Sequence, residues 1–534
     1  MFYDRILCLK KTFYLLRVIR IYLFAPRFIV SMIYLFVFYF VKFTKFSLIQ
    51  ILFMLVSEHL QRHRSGDNHE LTNLINSFYS NDFFPYSMKK SLTLSGHKGC
   101  INTCSFNSNG EFELTGCDDG CIYLWDIASH NTTPKLRIAP HKTNVFTTNF
   151  LNVNKFISAG NDADVKVIEV AEGRVHETNY HNHHTRKVLC SFVIDENTFA
   201  TCSYDKTVRI FDTRIKYKNQ TSDELEILND EYFNYDNQKI LMDLSENGLR
   251  PQNDGGGLIE EVDIQNIDNE SLLLDFKKEK YSEFYTMDIH PIDRKRFITS
   301  ANDGTVRMFD LRMIQQNKPQ EMGFEFNNHY KGIKSITGAT FNDSGEKIAA
   351  TVLGGNIHIL DTSSAVDLKV IPKFVPRRRI NFNVIDNDLI NLIFRANVEY
   401  EDNNEEESEI GENQETKVNG EIIELSGHQS FDTIKGVNWM GKYVVTGSDE
   451  GNVYLYDSDN GKIKNILKGH ENHVNVVSVN KEKMLLSTSG IDDYAILWES
   501  NNVTKINLKS IEENISQILE ENEMSAQQNP CGVM

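Results

Sequence analysis

The chain has 534 residues, 24% charged and 40% hydrophobic, with a formal net charge of -18. Its first 64 residues hold ten Lys/Arg against Asp4 and Glu58, a balance of +8, so residues 65–534 carry -26. A body that acidic argues against a surface built to neutralise nucleic-acid phosphates, which needs clustered Lys and Arg, and eight Cys are too few for a disulfide-stapled scaffold of this length.

Residues 1–64 form an apolar, basic extension in which FYLLRVIRIYLF, FIVSMIYLFVFYFV and FSLIQILFMLV are broken by Arg17, Arg20, Pro26, Arg27, Lys42 and Lys45. The longest uncharged run, Phe28 to Val41, has 14 residues, short of the roughly 20 that span a bilayer as a helix. Two readings stand: a tilted or re-entrant helical membrane segment whose flanking cations snorkel, or sequence upstream of the true start. A cleaved signal peptide fits less well, because the charged region before the apolar run is too long and no small-residue cleavage site follows. Residues 65–91 read as a linker.

From Leu92 the chain reads LTLSGHKGCINTCSFNSNGEFELTGCDDGCIYLWDI. A Gly-His pair leads into an alternating apolar strand, an Asn-Gly turn, a second strand, an Asp-Asp-Gly turn, and a third strand ending Trp125-Asp126. Period-two alternation punctuated by tight-turn dipeptides predicts short antiparallel strands. The same grammar returns at 141–170, 184–214, 285–312, 333–361, 427–457 and 469–499. One such unit cannot bury both of its faces alone, whereas units packed in a ring can. The prediction is an all-β fold, one closed propeller of seven blades over residues 92–500.

Two acidic insertions interrupt the ring. Residues 215–280 are acidic and polar with Gly255-Gly256-Gly257, and residues 364–423 include Glu399 to Glu415, which holds nine acids and no base. Both are expected to leave the rim as loops, disordered where the acids concentrate. Residues 501–534 combine a helical-looking IEENISQILEENE with a polar tail ending Cys531-Gly532-Val533-Met534. That ending satisfies the CaaX pattern in the form that favours farnesyl, making Cys531 a candidate lipidation site. One lipid binds membranes weakly and no polybasic second signal accompanies it, so the amino-terminal apolar segment would be the second anchor. A simple single span would place the propeller away from the cytosolic transferase, and the cytosolic propeller is preferred.

The seven units resemble WD repeats, and the chain is similar to the propeller proteins that serve as substrate receptors of the cullin-4 RING ubiquitin ligase. The first repeat, including Gly99-Cys100-Ile101-Asn102, and the last two, IKGVNWMGKYVVTGSDEGNVYLYD and STSGIDDYAILWE, look like the opening and closing blades of the factor-eight group of those associated factors. Such receptors carry a 16-residue box ending aromatic-Asp-any-Arg, and this sequence has it twice, as FATCSYDKTVRIFDTR (199–214) and FITSANDGTVRMFDLR (297–312). The resemblance implies that Arg214 and Arg312, with Asp212 and Asp310, bind the ligase adaptor from one rim, side by side. An Arg fork suits bidentate pairing with a carboxylate or carbonyls. Ala128, Ala171, Ser363, Asp459 and Asn501 stand at the corresponding places of the other repeats.

His97, Asp119, Trp125, Asp205, Asp303, His428, Asp449, His470 and Asp492 are expected to be structural, capping turn amides or bonding the repeat's own His, Ser or Thr. Phe211 and Phe309 replace the usual Trp, which keeps the packing and loses the indole donor. His176, His181, His183 and His184 fall together, but one of them is the repeat's own turn-bonding His and the others lack the partner ligands of a closed metal site. Cys100, Cys104, Cys117 and Cys121 lie on strands and turns where alternation points them apart. Asp118-Asp119 and Asp492-Asp493 occupy tight turns without a nucleophile or oxyanion motif. The three-Gly stretch lacks the Lys and helix of a phosphate cradle, and Arg377-Arg378-Arg379 reads as a solvated loop pairing with the Glu run.

The expected function is therefore that of a non-enzymatic substrate receptor without cofactor or metal. Its partners are the cullin-4 ligase adaptor and protein substrates, not nucleic acid. Its place is the cytoplasm, the nucleus or both, with membrane association through Cys531 or the amino-terminal segment. The alternative is a general propeller scaffold without a ligase role.

Overall fold

The alternating stretches fold as short antiparallel strands, and among the described residues these build seven sheets. The computed structural model describes residues 84–228, 271–276, 283–315, 322–326, 335–368, 418, 420–500 and 508–528. The apolar extension, the Glu399 to Glu415 run and Cys531 lie outside them. Strands are lettered a to d from the innermost outward. In blade 1 they are Ile101–Phe106, Phe112–Cys117, Ile122–Asp126 and Leu136–Ile138. Blade 3 has Val188–Val193, Thr198–Ser203, Thr207–Asp212 and Leu272–Asp275, and blade 4 has Phe284–Ile289, Arg296–Ala301, Thr305–Asp310 and Met322–Glu325.

Seven sheets make a ring because each inner strand bonds to the next blade through a small polar group or backbone. Thr103 meets Thr148 across the first seam (3.3 Å) and Thr147 meets Ser191 across the second (2.8 Å). The Cys190 thiol donates to the Met287 carbonyl (3.5 Å), and the Ala339 amide donates to Thr286 Oγ1 (3.1 Å). Thr337 reaches the Lys435 carbonyl (3.3 Å) and the Gly436 amide reaches the Asn475 carbonyl (2.7 Å). Ser489 Oγ then donates to the Ile101 carbonyl at 3.0 Å, returning to blade 1. Backbones approach so closely at the blade ends that a Cβ on Gly490 would run into the His473 carbonyl.

The closing blade is built from both ends of the domain. Its inner strands are Val474–Asn480, Leu485–Gly490 and Tyr494–Ser500, and its outer strand is Met88–Ser95, paired antiparallel from Met88↔Ser500 to Ser95↔Tyr494. The first strand therefore takes in the last four residues of the expected linker. A helical turn, Phe84–Ser87, precedes it, with Phe84 fully buried and the Pro85 carbonyl accepting from Asn465 Nδ2 (2.8 Å).

Both expected insertions hold ordered ends. After strand c of blade 3 the chain turns back and adds Gln220–Leu225 beyond strand d of blade 2, Arg174–Tyr180, paired Gln220↔Tyr180. After strand c of blade 5, Ile357–Asp361, it likewise adds Val366–Asp367 to the outer strand of blade 4. In each case the chain re-enters the described residues to form its own blade's strand d, Leu272–Asp275 or Glu421–Leu425. Each insertion thus begins by covering a neighbouring sheet edge that would otherwise offer unpaired amides.

The helical-looking tail is a helix, Leu508–Gln528. Ile518 is buried in the core shared by blade 5 and blade 6, whose strands run from Val437–Met440 to Ile463–Lys468, where Trp439 and Tyr456 sit, and Ile515 packs beside it. Asn522 Nδ2 donates to the Gly427 carbonyl and to Glu450 Oε1, both at 2.9 Å. Among the described residues no helix is long and apolar enough to cross a membrane.

Candidate functional site

A b–c hairpin separates the two rims. Asp205 stands at the b–c turn of blade 3, so Arg214, just past the far end of strand c, belongs to the opposite rim, together with the a–b turns. Arg312 holds the same place in blade 4, on a short helix Leu311–Gln315. The inner strands of these two blades pack against one another, so the two boxes occupy neighbouring positions on that rim.

Each Arg folds back on its own box. Arg214 Nε and Nη2 donate to Asp212 Oδ1 and Oδ2 at 2.8 and 2.6 Å, and its amide donates to Oδ1 at 2.9 Å. Arg312 repeats the arrangement on Asp310, with Nε 2.9 Å from Oδ1 and Nη2 on Oδ2. The hydrogen bond from each Arg holds its Asp carboxyl below the ordinary range. Both guanidiniums remain 65% and 58% exposed, and neither has a further hydrogen-bond partner among the described residues. The bidentate pair fixes each fork in orientation and leaves its outer edge open.

Sequence reasoning missed what surrounds them. Ile215 and Ile292 are exposed on this rim, Ile215 next to Arg214 and Ile292 in the a–b turn of blade 4. In that same turn Arg294 adopts a positive φ of 48° and reaches back to blade 3, donating to the Val193 and Ile194 carbonyls at 2.7 and 3.0 Å. It ties the two Arg-bearing blades together. Arg294→Ala is expected to lower stability by about 1 kcal/mol, read as a lower urea midpoint with an unchanged slope. No motif signals such a residue, because its role depends on which turn lies opposite.

On the other rim the predicted structural residues divide. Blades 1 and 7 have complete networks: His97 meets Asp119 (3.4 Å) and Thr115 (2.8 Å), Trp125 donates to Thr115 (2.8 Å), and His470, Asp492, Thr488 and Trp498 repeat it. Burial works against the Asp119 carboxylate, yet the His97 bond and two amides hold it down at about 2. In blade 3, His184 joins Asp205 (3.0 Å) and Thr201 (2.8 Å). Phe211 fills the Trp place, stacked on Phe199 at 5.2 Å. Blade 2 has an unforeseen equivalent, His141 with Asp162 and Ser158, both at 2.9 Å.

Blades 4 and 6 depart from that pattern. Asp303 has no repeat His, and Arg307 pairs with it instead at 2.5 Å, while Phe309 stacks on Phe297. His428 and Asp449 do not meet. Asp449 takes the buried Lys435 ammonium and the Phe431 and Asp432 amides, and His428 Nδ1 pairs with the Tyr456 hydroxyl (3.0 Å). Lys435 lies seven residues beyond His428 and outcompetes it, because an ammonium offers three donors and a full charge.

Burial, with Lys435 nearby, lowers His428 from 6.5 to about 4. The unfolded side chain takes its proton near 6.5 and the folded one does not, so the folded state loses stability as pH falls from 6.5 towards 4. The gap corresponds to about 3 kcal/mol. Unfolding curves across that window should show this slope in the wild type and lose most of it in His428→Gln.

The clustered His take separate partners: His181 meets Asp164 (3.1 Å), His183 meets Ser271 (2.7 Å), and His184 serves the blade network. His97, Cys117 and Asp119 bring ligand-type atoms within 4.8 Å of one another, but both His97 ring nitrogens are already engaged. Cys104, Cys117 and Cys121 are buried free thiols and Cys100 is half-buried.

Comparison with known proteins agrees with this architecture. The WD domain, G-beta repeat family matches residues 88–126, 175–212, 420–457 and 461–499. The chain is similar to DDB1- and CUL4-associated factor 6 of Homo sapiens, 33% identical over 141 residues, which is 25% of this chain and 16% of that protein. It is also similar to DDB1- and CUL4-associated factor 5 of Homo sapiens, 31% identical over 126 residues, 23% of this chain and 13% of the relative. Protein tipD of Dictyostelium discoideum is 24% identical over 301 residues, 55% of this chain and 45% of the relative. The chain thus spans about a sixth of the length of factor 6. The names belong to the class of associated factors that the boxes suggest, with numbers six and five where the opening and closing repeats look like factor eight.

Proposed function

Starting from a chain that is a seven-bladed WD-repeat propeller, we propose that it is a substrate receptor of a cullin-4 RING ubiquitin ligase, docking the ligase adaptor through Arg214 and Arg312. One observation carries the reading: in two adjacent blades an aromatic-Asp-any-Arg box ends in an exposed guanidinium, oriented by its own Asp, on the same rim. Similarity to two DDB1- and CUL4-associated factors supports it. Ile215 and Ile292 supply the apolar contact that an Arg-centred interface needs beside its charges. The adaptor takes this rim, the substrate takes the rim of the b–c turns, and the chain brings the two together without chemistry of its own. The protein acts in the cytoplasm or the nucleus.

The test is affinity purification of wild type beside Arg214→Ala/Arg312→Ala. A wild type that captures no adaptor, or a double variant that captures as much, leaves a general protein-interaction scaffold as the reading.

A further inference from the structure

Six of the seven inner strands carry a register shift near their start, where two residues face one on strand b, and the residue at the shift has no partner. Such bulges re-aim side chains. These shifts lie at the mouth of the central channel, on the rim opposite Arg214. In blades 1, 5 and 7 the shifted residues are polar and already bonded: Asn102 to Asp118 (2.7 Å), Thr337 to the Lys435 carbonyl (3.3 Å), and Asn475 to Thr433 (2.7 Å). In blades 2, 3 and 4 they are Phe146, Leu189 and Tyr285, all half-buried. One side of the mouth is therefore apolar and the other polar.

Two cations border the apolar side. Arg186 and Lys187 precede strand a of blade 3. Arg186 Nη1 donates to Glu283 Oε1 at 2.8 Å, and the other Glu283 oxygen accepts from Asn302 at 3.0 Å. That carboxylate is spent. The Lys187 ammonium lies 4.1 Å from the centre of the Tyr204 ring, which stands edge-on to Tyr285 at 5.7 Å. Among the described residues Lys187 has no hydrogen-bond acceptor, although it is half-buried. Three ammonium donors against a ring face, beside an apolar shelf, are complementary to a carboxylate with a bulky neighbour. In a body carrying -26, such a local cation is what would select an acidic segment.

We infer that the channel mouth over blades 2 to 4 binds a peptide segment in which acidic residues adjoin a large apolar one, the acid on Lys187 and the apolar side chain on Phe146, Leu189 and Tyr285. This deepens the receptor reading, on which it rests, by giving the chemistry of the substrate. The pairing would give the Lys187 ammonium a hydrogen-bond acceptor and cover the half-buried shelf in one event.

The full chain is titrated by fluorescence anisotropy with labelled Gly/Ser peptides carrying Glu-Glu-Phe, Gln-Gln-Phe or Glu-Glu-Ser at the centre. Wild type should bind the first about tenfold more tightly than either analogue, the scale of one charge-assisted hydrogen bond for the Gln peptide and of one buried apolar side chain for the Ser peptide. Lys187→Glu and Lys187→Met should each lose the preference over Gln-Gln-Phe. Met keeps an apolar stem on Tyr204, so its melting temperature distinguishes lost binding from lost folding. Equal binding of the three peptides, no binding of the first, or an unchanged preference in folded Lys187→Met each overturns the inference. Adaptor capture on the same proteins separates the two ideas: intact capture without peptide preference sinks only this one, and peptide preference without capture sinks only the receptor reading.

Discussion

Arg214→Ala/Arg312→Ala is expected to weaken adaptor capture roughly a hundredfold or more, the scale of losing two Arg hot spots from one interface, while the melting temperature stays near wild type. The asymmetry follows from exposure. Both side chains extend into solvent and bond only within their own box, so removing them deprives the fold of a surface ion pair, which contributes little. Asp212→Ala/Asp310→Ala separates orientation from charge. It leaves both cations in place and releases their forks, and the capture should fall between the wild type and the Arg double variant. Equal loss in both pairs of variants would mean that orientation is everything; no loss in the Asp pair would mean that the carboxylates merely hold the unbound state. Pull-down at two salt concentrations reads the same point, since a charge-dependent rim loses affinity as salt screens it.

Removing residues 84–95 should abolish the folded ring. That segment supplies the outer strand of the closing blade and buries Phe84, Met88 and Leu94. At about 1.5–3 kcal/mol for each buried apolar side chain, its loss takes about 5 kcal/mol or more before any ladder bond is considered, out of a typical total of about 5–15 kcal/mol. The strand Tyr494–Ser500 would also be left as an exposed sheet edge, a template for aggregation. Sedimentation and circular dichroism of a chain lacking 84–95 provide the check. A soluble monomer with native unfolding cooperativity would show that the closing pairing is dispensable.

The repeats were legible because period-two alternation and Asx-Gly turns are local properties, and strands a, b and c of each blade follow from them. Strand d was less so. Leu136–Ile138 has three residues, and Leu272–Asp275 and Glu421–Leu425 lie beyond insertions, so nothing local ties them to their sheets. The back-pairing of Gln220–Leu225 on blade 2 was invisible for the same reason: its partner is chosen by proximity in space. Within the site, the boxes around Arg214 and Arg312 follow from the family resemblance, and the places of His97 and His470 from the repeat. The separation of His428 from Asp449 follows from neither, because it depends on the reach of Lys435, whose ammonium folds back onto the turn. Lys187, Arg294 and Ile292 belong to no motif at all. Their meaning arises only where two blades meet.

The closure of the ring also sets an order in time. Met88 pairs with Ser500 and Leu94 with Ala495, so the first propeller strand to leave the ribosome waits for nearly the last. With about 400 residues between them and synthesis at roughly 5–20 residues per second, the wait is about 20–80 s. Throughout it, early blades stand as an open arc with an unclosed end. The nascent chain is exposed to chaperones and proteases for that interval, and a ribosome that stalls before Tyr494 releases a protein that cannot close.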